Sequence, residues 1–302
     1  MYICIDLGGS NIRGTWIKSD GTSGSPVTMK RPKTLTDTKE SLCSLVTAIQ
    51  KQCSDEVQKF GLASAGPMDF EKGVYLSPTN MPELKGFDLK GFISESFGKD
   101  VILENDAQAA ALGEVYRGCL RGKQNALFFT LGTGLGSGVV MDGTLWKGKV
   151  PAGPELGHIY LGPGRRIRCG CGQVGCAETW LNSKALLDMA RQRLPVTGLR
   201  DLDPYLNDFH DNAIKVMEDY GHRLGLFLSQ MVSIFGIGNI GLGGGISRMA
   251  DYFLPAARRT LEHRLNRRDW LLPRVIRSSS DPDMSALWGM CALMIQNHNN
   301  TT

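Results

Sequence analysis

The same short unit occurs twice in this 302-residue chain. Ile3-Cys4-Ile5-Asp6-Leu7-Gly8-Gly9-Ser10 aligns with Leu127-Phe128-Phe129-Thr130-Leu131-Gly132-Thr133-Gly134. Each copy runs into a return segment closed by Asp-Gly, 14 residues after Asp6 and 12 after Thr130. An apolar run, a glycine loop and a return strand ending at Asp-Gly predict a β-hairpin. Two copies in one chain predict a fold of two similar halves, a far narrower choice than a single glycine motif allows.

The rest of the chain follows the same programme. In the first half, strands are expected near residues 2–5 and 13–18, then a helix over 37–59 with Leu42, Leu45, Val46 and Ile49 on one face. Strands near 60–63 and 74–76, a helix near 89–97 and a strand over 101–103 lead to Asn105-Asp106 and an alanine-rich helix ending near Arg117. The second half restarts with a strand over 126–130, a glycine turn over 132–138 and a strand over 139–141. Later, Gly241-Leu242-Gly243-Gly244-Gly245 ends a strand near 237–241 and precedes a helix. Such alternation predicts an α/β fold with a cleft between the halves. The small N-terminal domain is expected over 1–117, completed by a C-terminal helix at 285–300, and the large domain over 118–284.

Composition narrows the function. With 34 basic against 30 acidic residues, the net charge of +4 implies no nucleic-acid partner. The arginines from Arg258 to Arg268 alternate with Leu261, Glu262 and Leu265, the pattern of a solvated helix face. The most apolar stretch, residues 227–246, holds six glycines, so no membrane span is expected. No signal-peptide core opens the chain, and Cys4, Cys43, Cys53 and Cys291 read as reduced thiols, which together point to the cytoplasm.

Glycines at a tight turn let backbone N–H groups approach the oxygens of a phosphate. Gly8-Gly9-Ser10-Asn11 and Gly132-Thr133-Gly134 are two such loops, and Gly243-Gly244-Gly245 is a third at a strand–helix junction. Asp6, ending its strand, is placed to hold a water of a phosphate-bound Mg²⁺. No GxxxxGK[ST] loop is present, which disfavours a P-loop enzyme.

His158, Cys169, Cys171 and Cys176 form the pattern H-x10-C-x-C-x4-C. Three thiolates and an imidazole complete a tetrahedral zinc shell and leave no open catalytic position, so the ion is expected to fold the loop. Glu155 lies three residues before His158 and Glu178 two after Cys176, so folding that loop sets both positions. Paired carboxylates suit recognition of a sugar diol. Asp106, between a buried strand and a helix, reads either as a helix cap or as a carboxylate that takes a proton from an attacking hydroxyl.

Taken together, Asp6-Leu7-Gly8-Gly9, Glu104-Asn105-Asp106-Ala107, Leu131-Gly132-Thr133-Gly134 and Glu155-Leu156-Gly157-His158 resemble the ROK family (repressors, open reading frames, kinases). Cys169-Gly170-Cys171-Gly172 with Cys176 and Glu178, and Gly243-Gly244-Gly245, extend the likeness over practically the whole chain. The resemblance implies two actin/hexokinase-like (ribonuclease H-like) domains and transfer of phosphate from Mg-ATP to the 6-hydroxyl of a hexose. It implies Asp106 as general base, with Asn80, Asn105, Glu155, His158 and Glu178 on the sugar. It further implies Gly8, Gly9, Ser10, Asn11, Gly132, Thr133 and Gly134 on the phosphates, Gly243, Gly244 and Gly245 beside the adenosine, and a homodimer.

Ser10 stands where Thr is usual, Ala65 where Pro is frequent and Pro154 where Gly usually precedes Glu155. Leu145-Trp146-Lys147-Gly148, His158-Ile159 with Leu161-Gly162, Leu199-Arg200-Asp201-Leu202 and Ser278-Ser279-Ser280-Asp281 look most like D-allose kinases, whereas Asn105-Asp106-Ala107-Gln108-Ala109-Ala110 resembles N-acetylmannosamine kinases equally well. Glucose is the third candidate sugar. A sugar-sensing regulator without kinase activity is the alternative class. Regulators of this family carry an N-terminal helix-turn-helix, for which a strand starting at residue 2 leaves no room.

Overall fold

The computed structural model describes residues 1–78, 80–149, 153–163, 167–273 and 275–299. The elements are β1 (Tyr2–Leu7), β2 (Asn11–Ile17), β3 (Val27–Lys30), α1 (Leu35–Gln50), β4 (Lys59–Ser64), β5 (Met68–Asp69) and β6 (Val74–Tyr75). Then follow α2 (Leu89–Phe97), β7 (Val101–Asn105), α3 (Asp106–Tyr116), β8 (Ala126–Leu131), β9 (Leu135–Met141) and β10 (Thr144–Leu145). The remainder holds α4 (Glu178–Leu181), α5 (Ser183–Arg191), α6 (Leu202–Asn207), α7 (Asp211–Phe235), β11 (Asn239–Gly243), α8 (Ala250–Arg264), β12 (Val275–Ser278) and α9 (Ser285–Asn299).

The duplication is real at the level of topology. One sheet has the order β3-β2-β1-β4-β7 and the other β10-β9-β8-β11-β12, the same path through five strands. β1 lies antiparallel to β2 and parallel to β4, and β8 lies parallel to β11. β1 and β8 share a length of six residues and the same near-continuous burial, since both are central strands covered on two faces.

Two compact units contain these elements: Met1–Gln124, Gly138–Pro154 and Ser280–Thr302 form one, and Asn125–Ser137 and Glu155–Ser279 the other. In the first, the inward side chains of β1 and β4 pack on Leu42, Leu45, Val46 and Ile49 of α1, all fully buried. Each such aliphatic side chain stabilises the fold by about 1.5–3 kcal/mol. The helix starts at the Thr34 cap, whose hydroxyl accepts the Asp37 N–H at 3.2 Å, and ends at Gln50. That is nine residues short of the helix expected from periodicity. Cys53 to Gln58 instead lead into β4, which begins at Lys59.

α9 returns from the far end of the sequence to pack on α3, β1 and β4. Two glycines make the α3–α9 approach possible. A methyl at Gly113 would lie 1.8 Å from the Ser285 carbonyl oxygen, and one at Gly289 would lie 1.7 Å from that of Ala109. No L side chain fits at either position, so an alanine there forces the helices apart.

Candidate active site and metal centre

In the first unit the site grows from the carboxyl ends of three neighbouring parallel strands. Leu7 of β1 pairs with Ser64 of β4, and Ser64 pairs with Asn105 of β7. The loops that leave these ends carry Gly8–Ser10, Ala65–Pro67 and Asp106, and in open parallel sheets this edge is where ligands bind. Asn105 is the N-cap of α3: its Oδ1 accepts the N–H groups of Ala107 at 3.0 Å and Gln108 at 3.2 Å. The capping role open to Asp106 from sequence thus belongs to its neighbour. Asp106 is the first helical residue, with Oδ1 accepting the Ala107 N–H at 2.8 Å. Its Oδ2 accepts no hydrogen bond from the described residues, which leaves one carboxylate oxygen for a proton.

Asp6 lies near enough to Asp106 to feel its charge, and both residues are half-buried. Burial, reinforced by the charge of Asp106, pushes Asp6 up to about 7, against a lowering pull from Arg13. Burial likewise raises Asp106, opposed by the Ala107 N–H. Arg13 is the cross-strand partner of Asp6 in the β1–β2 hairpin and reaches Asp283 Oδ1 at 3.1 Å and the Asp283 carbonyl oxygen at 3.0 Å. Neither residue was singled out from sequence. The hairpin register, read from Asp20-Gly21, could have placed Arg13 beside Asp6. Nothing local signals Asp283, 270 residues further on.

These shifts carry a sign. A carboxyl group with a raised folded-state value holds its proton where the unfolded chain has lost it, so the fold loses stability as pH rises through that window. For Asp6 the window runs from about 4 to about 7. Asp6→Asn is therefore expected to stabilise the free protein at pH 8 by about 1–3 kcal/mol, a gain absent at pH 4. Thermal melts at the two pH values check this, and an equal gain at both would show that Asp6 is not carrying a buried charge.

Both glycine loops use one amide to close themselves. Gly8 N–H donates to the Asn11 carbonyl at 3.0 Å, and Gly132 N–H to the Gly134 carbonyl at 3.1 Å. The amides of Gly9, Ser10, Thr133 and Gly134 meet no protein acceptor among the described residues. Each loop thus keeps two amide donors without a protein acceptor, with the hydroxyl of Ser10 exposed in the one and that of Thr133 in the other.

In the second unit the arrangement repeats. β8 and β11 are parallel, with Thr130 opposite Gly243, and both end in glycine loops. β11 runs through Gly243, so the third turn is shorter than expected and consists of Gly244 and Gly245. Gly244 adopts φ +80°, and a methyl there would stand 2.4 Å from the Leu131 carbonyl oxygen, so only glycine fits.

The fold brings His158, Cys169, Cys171 and Cys176 together, with one ligating atom from each lying within 4.8 Å of the others. Cys169 Sγ is 3.4 Å from His158 Nδ1, and Cys171 Sγ is 3.6 Å from Cys176 Sγ. Zinc bonds of about 2.3 Å to sulfur and about 2.0 Å to nitrogen require tetrahedral edges of about 3.5–3.8 Å. The donor set fits the ion in chemistry and in spacing. Nδ1 faces the sulfurs, and Nε2 points the other way, 3.9 Å from Glu155 Oε2.

Glu178, at the start of α4, is more constrained than its position in sequence suggested. Its Oε2 accepts the Leu135 N–H at 3.1 Å, next to the Gly132–Gly134 loop, and Oε1 lies 3.3 Å from Cys169 Sγ. One side chain thus spans the metal cluster and the glycine loop. Glu155 is exposed, and Asn80 sits in an exposed turn after Pro78.

The profile of the ROK family matches residues 2–297. The chain belongs to the ROK family. Among curated relatives, this ROK protein is 33% identical to the glucokinase of Thermotoga maritima over 192 residues, 63% of this chain and 60% of that one. It is 26% identical to the glucokinase of Halalkalibacterium halodurans over 295 residues, 91% of this chain and 87% of that one. Among solved structures, a ROK-family glucokinase from Streptomyces griseus in complex with glucose and AMPPNP superposes with a TM-score of 0.84 and 25% identity. That likeness covers 98% of this chain and 99% of the other, which establishes the α/β fold of two related halves for this ROK protein. No helix among its described residues is long and apolar enough to cross a membrane.

Proposed function

We propose that the chain is a sugar kinase that moves the γ-phosphoryl group of Mg-ATP to the 6-hydroxyl of a hexose. The observation that carries this reading is the pair Asp6–Asp106 beside the Gly8–Ser10 loop, at the shared end of three parallel strands. In the proposed reaction Asp106 accepts the hydroxyl proton as the sugar oxygen attacks the γ-phosphorus. The bond to the bridging oxygen breaks, and its electron pair leaves with ADP. Asp6 holds a water of the magnesium that accompanies the nucleotide. Gly9, Ser10, Thr133 and Gly134 donate amides to the phosphates, with Gly8, Asn11 and Gly132 shaping the two loops, and Gly243–Gly245 lie beside the adenosine.

Asn80, Asn105, Glu155, His158 and Glu178 are proposed to hold the sugar hydroxyls. Asn105 would offer its amide N–H₂, since its oxygen is occupied at the helix cap. A zinc ion held by His158, Cys169, Cys171 and Cys176 would supply rigidity and no chemistry. Glucose leads the candidate sugars, because two related proteins and one superposed structure bear the name glucokinase. D-allose and N-acetylmannosamine compete with it. A homodimer working in the cytoplasm, where ATP is supplied, completes the proposal.

ADP release from Mg-ATP, measured with glucose, allose, mannose and N-acetylmannosamine and compared as kcat/KM, tests the reading. One sugar is expected to lead the others by about 100-fold, a margin within reach of a site that hydrogen-bonds particular hydroxyls. No ADP with any of these sugars, from protein that holds zinc, would return the chain to the sugar-sensing class.

A further inference from the structure

Arg31 is a buried charge to which the foregoing reaction assigns no part. Its side chain is 0% exposed, and Glu83, its ion-pair partner, is 19% exposed. The guanidinium donates through Nε to the Gly9 carbonyl at 3.1 Å, through Nη1 to Glu83 Oε1 and to the Pro32 carbonyl at 2.9 Å, and through Nη2 to the Asn80 carbonyl at 3.4 Å. Its own backbone N–H donates to the Ser10 carbonyl at 2.9 Å, continuing the ladder in which Asn11 pairs with Lys30. A single residue therefore grips two carbonyls of the first glycine loop and one of the turn that carries Asn80. The two segments already adjoin: a methyl at Gly9 would stand 3.5 Å from the Asn80 Cβ.

Stability alone does not account for this arrangement. Taking a guanidinium out of water is costly, and apolar replacements of buried ion pairs often leave a fold as stable or more so. Met81 and Leu84, each fully buried, already anchor the Asn80 turn in the core. What an arginine adds is geometry. Its planar fork presents five donors in fixed directions and can hold carbonyls on opposite sides at one separation.

We infer that Arg31 is a positioning residue, which holds the Gly8–Ser10 loop and Asn80 in one register so that the phosphates and the sugar are bound at a set distance. The inference rests on the sugar-kinase reading above. A lysine keeps the charge opposite Glu83 but gathers its three donors at one point on a flexible stem, so it cannot span both carbonyls. Glu83→Gln makes the complementary change: it removes the counter-charge and leaves the fork on its carbonyls.

Steady-state kinetics of Arg31→Lys, Glu83→Gln and wild type, with thermal melts of each, separate positioning from support. Arg31→Lys is expected to lower kcat/KM by about 10- to 100-fold, with KM raised for both ATP and sugar. Glu83→Gln is expected to lower the melting temperature at least as far while its kinetic constants stay within about twofold of wild type. Folded Arg31→Lys with wild-type constants overturns the inference. So does a loss of activity that follows the melting temperature equally in both variants. An active wild type beside an unimpaired Arg31→Lys sinks this inference alone, whereas a wild type that releases no ADP sinks the kinase reading and this inference with it.

Discussion

Asp106→Asn lowers kcat by about 10²–10⁴-fold, the span a well-placed general base supplies, and leaves the dissociation constant for the sugar within a few-fold of wild type. The amide keeps the shape of the carboxylate and an oxygen for the Ala107 N–H, so the start of α3 stays intact. What it loses is the second oxygen as a proton acceptor. Burial raises Asp106 above the ordinary carboxylate range, and the base works only when ionised. Activity of the wild type is accordingly expected to fall on the acid side, as pH drops through the value of the Asp6–Asp106 pair. The charge of Asp106 helps to raise Asp6, so the limb reports two interacting carboxylates and not one residue. Residual turnover by Asp106→Asn should keep only the part of that limb that belongs to Asp6, which burial still raises. Turnover near wild type would remove Asp106 as the base.

Loss of the metal is the second large effect. Cys171 is the exposed member of its cluster, so Cys171→Ser removes a ligand while disturbing almost no packing. Any fall in stability then belongs to the ion. Ligand loss at a structural zinc is one of the few single changes that cost more than about 4 kcal/mol. The sugar affinity is expected to fall with it, because His158 and Glu178, both proposed to hold the sugar, lie against Cys169 of the cluster and lose their fixed positions with it. Elemental analysis for one zinc per chain, calorimetry and KM for the sugar check the three parts. Metal-free Cys171→Ser with unaltered melting temperature and KM would show that the cluster does not build the site.

Much of this protein was legible before any coordinates. The duplicated hairpin announces two sheets of one topology because strand, glycine loop and Asp-Gly closure are local chemistry, specified within twenty residues. The His158–Cys176 spacing identifies a metal set because thiolates and imidazole have few other reasons to cluster among glycines. The helix over 37–59 was too long, since apolar residues continue past Gln50 whereas the chain must turn to start β4. The capping question at Asn105-Asp106 could not be decided from sequence, since both side chains cap helices well and only their orientations tell them apart.

The sequence by itself determined which groups are available: two glycine loops, an Asn-Asp pair at a strand end, four metal-binding side chains with flanking glutamates. The tertiary structure alone decided which atoms of those groups are free to act. It gave one Asp106 oxygen to a backbone amide and left the other, set Asp6 against Asp106, and bound Arg13 to Asp283 and Arg31 to Gly9 and Asn80. Apart from the Ala107 amide next to Asp106, these partners lie tens to hundreds of residues apart, where no periodicity links them. Their energies come from burial, which removes the water that would otherwise satisfy each polar group and so makes its protein partners decisive.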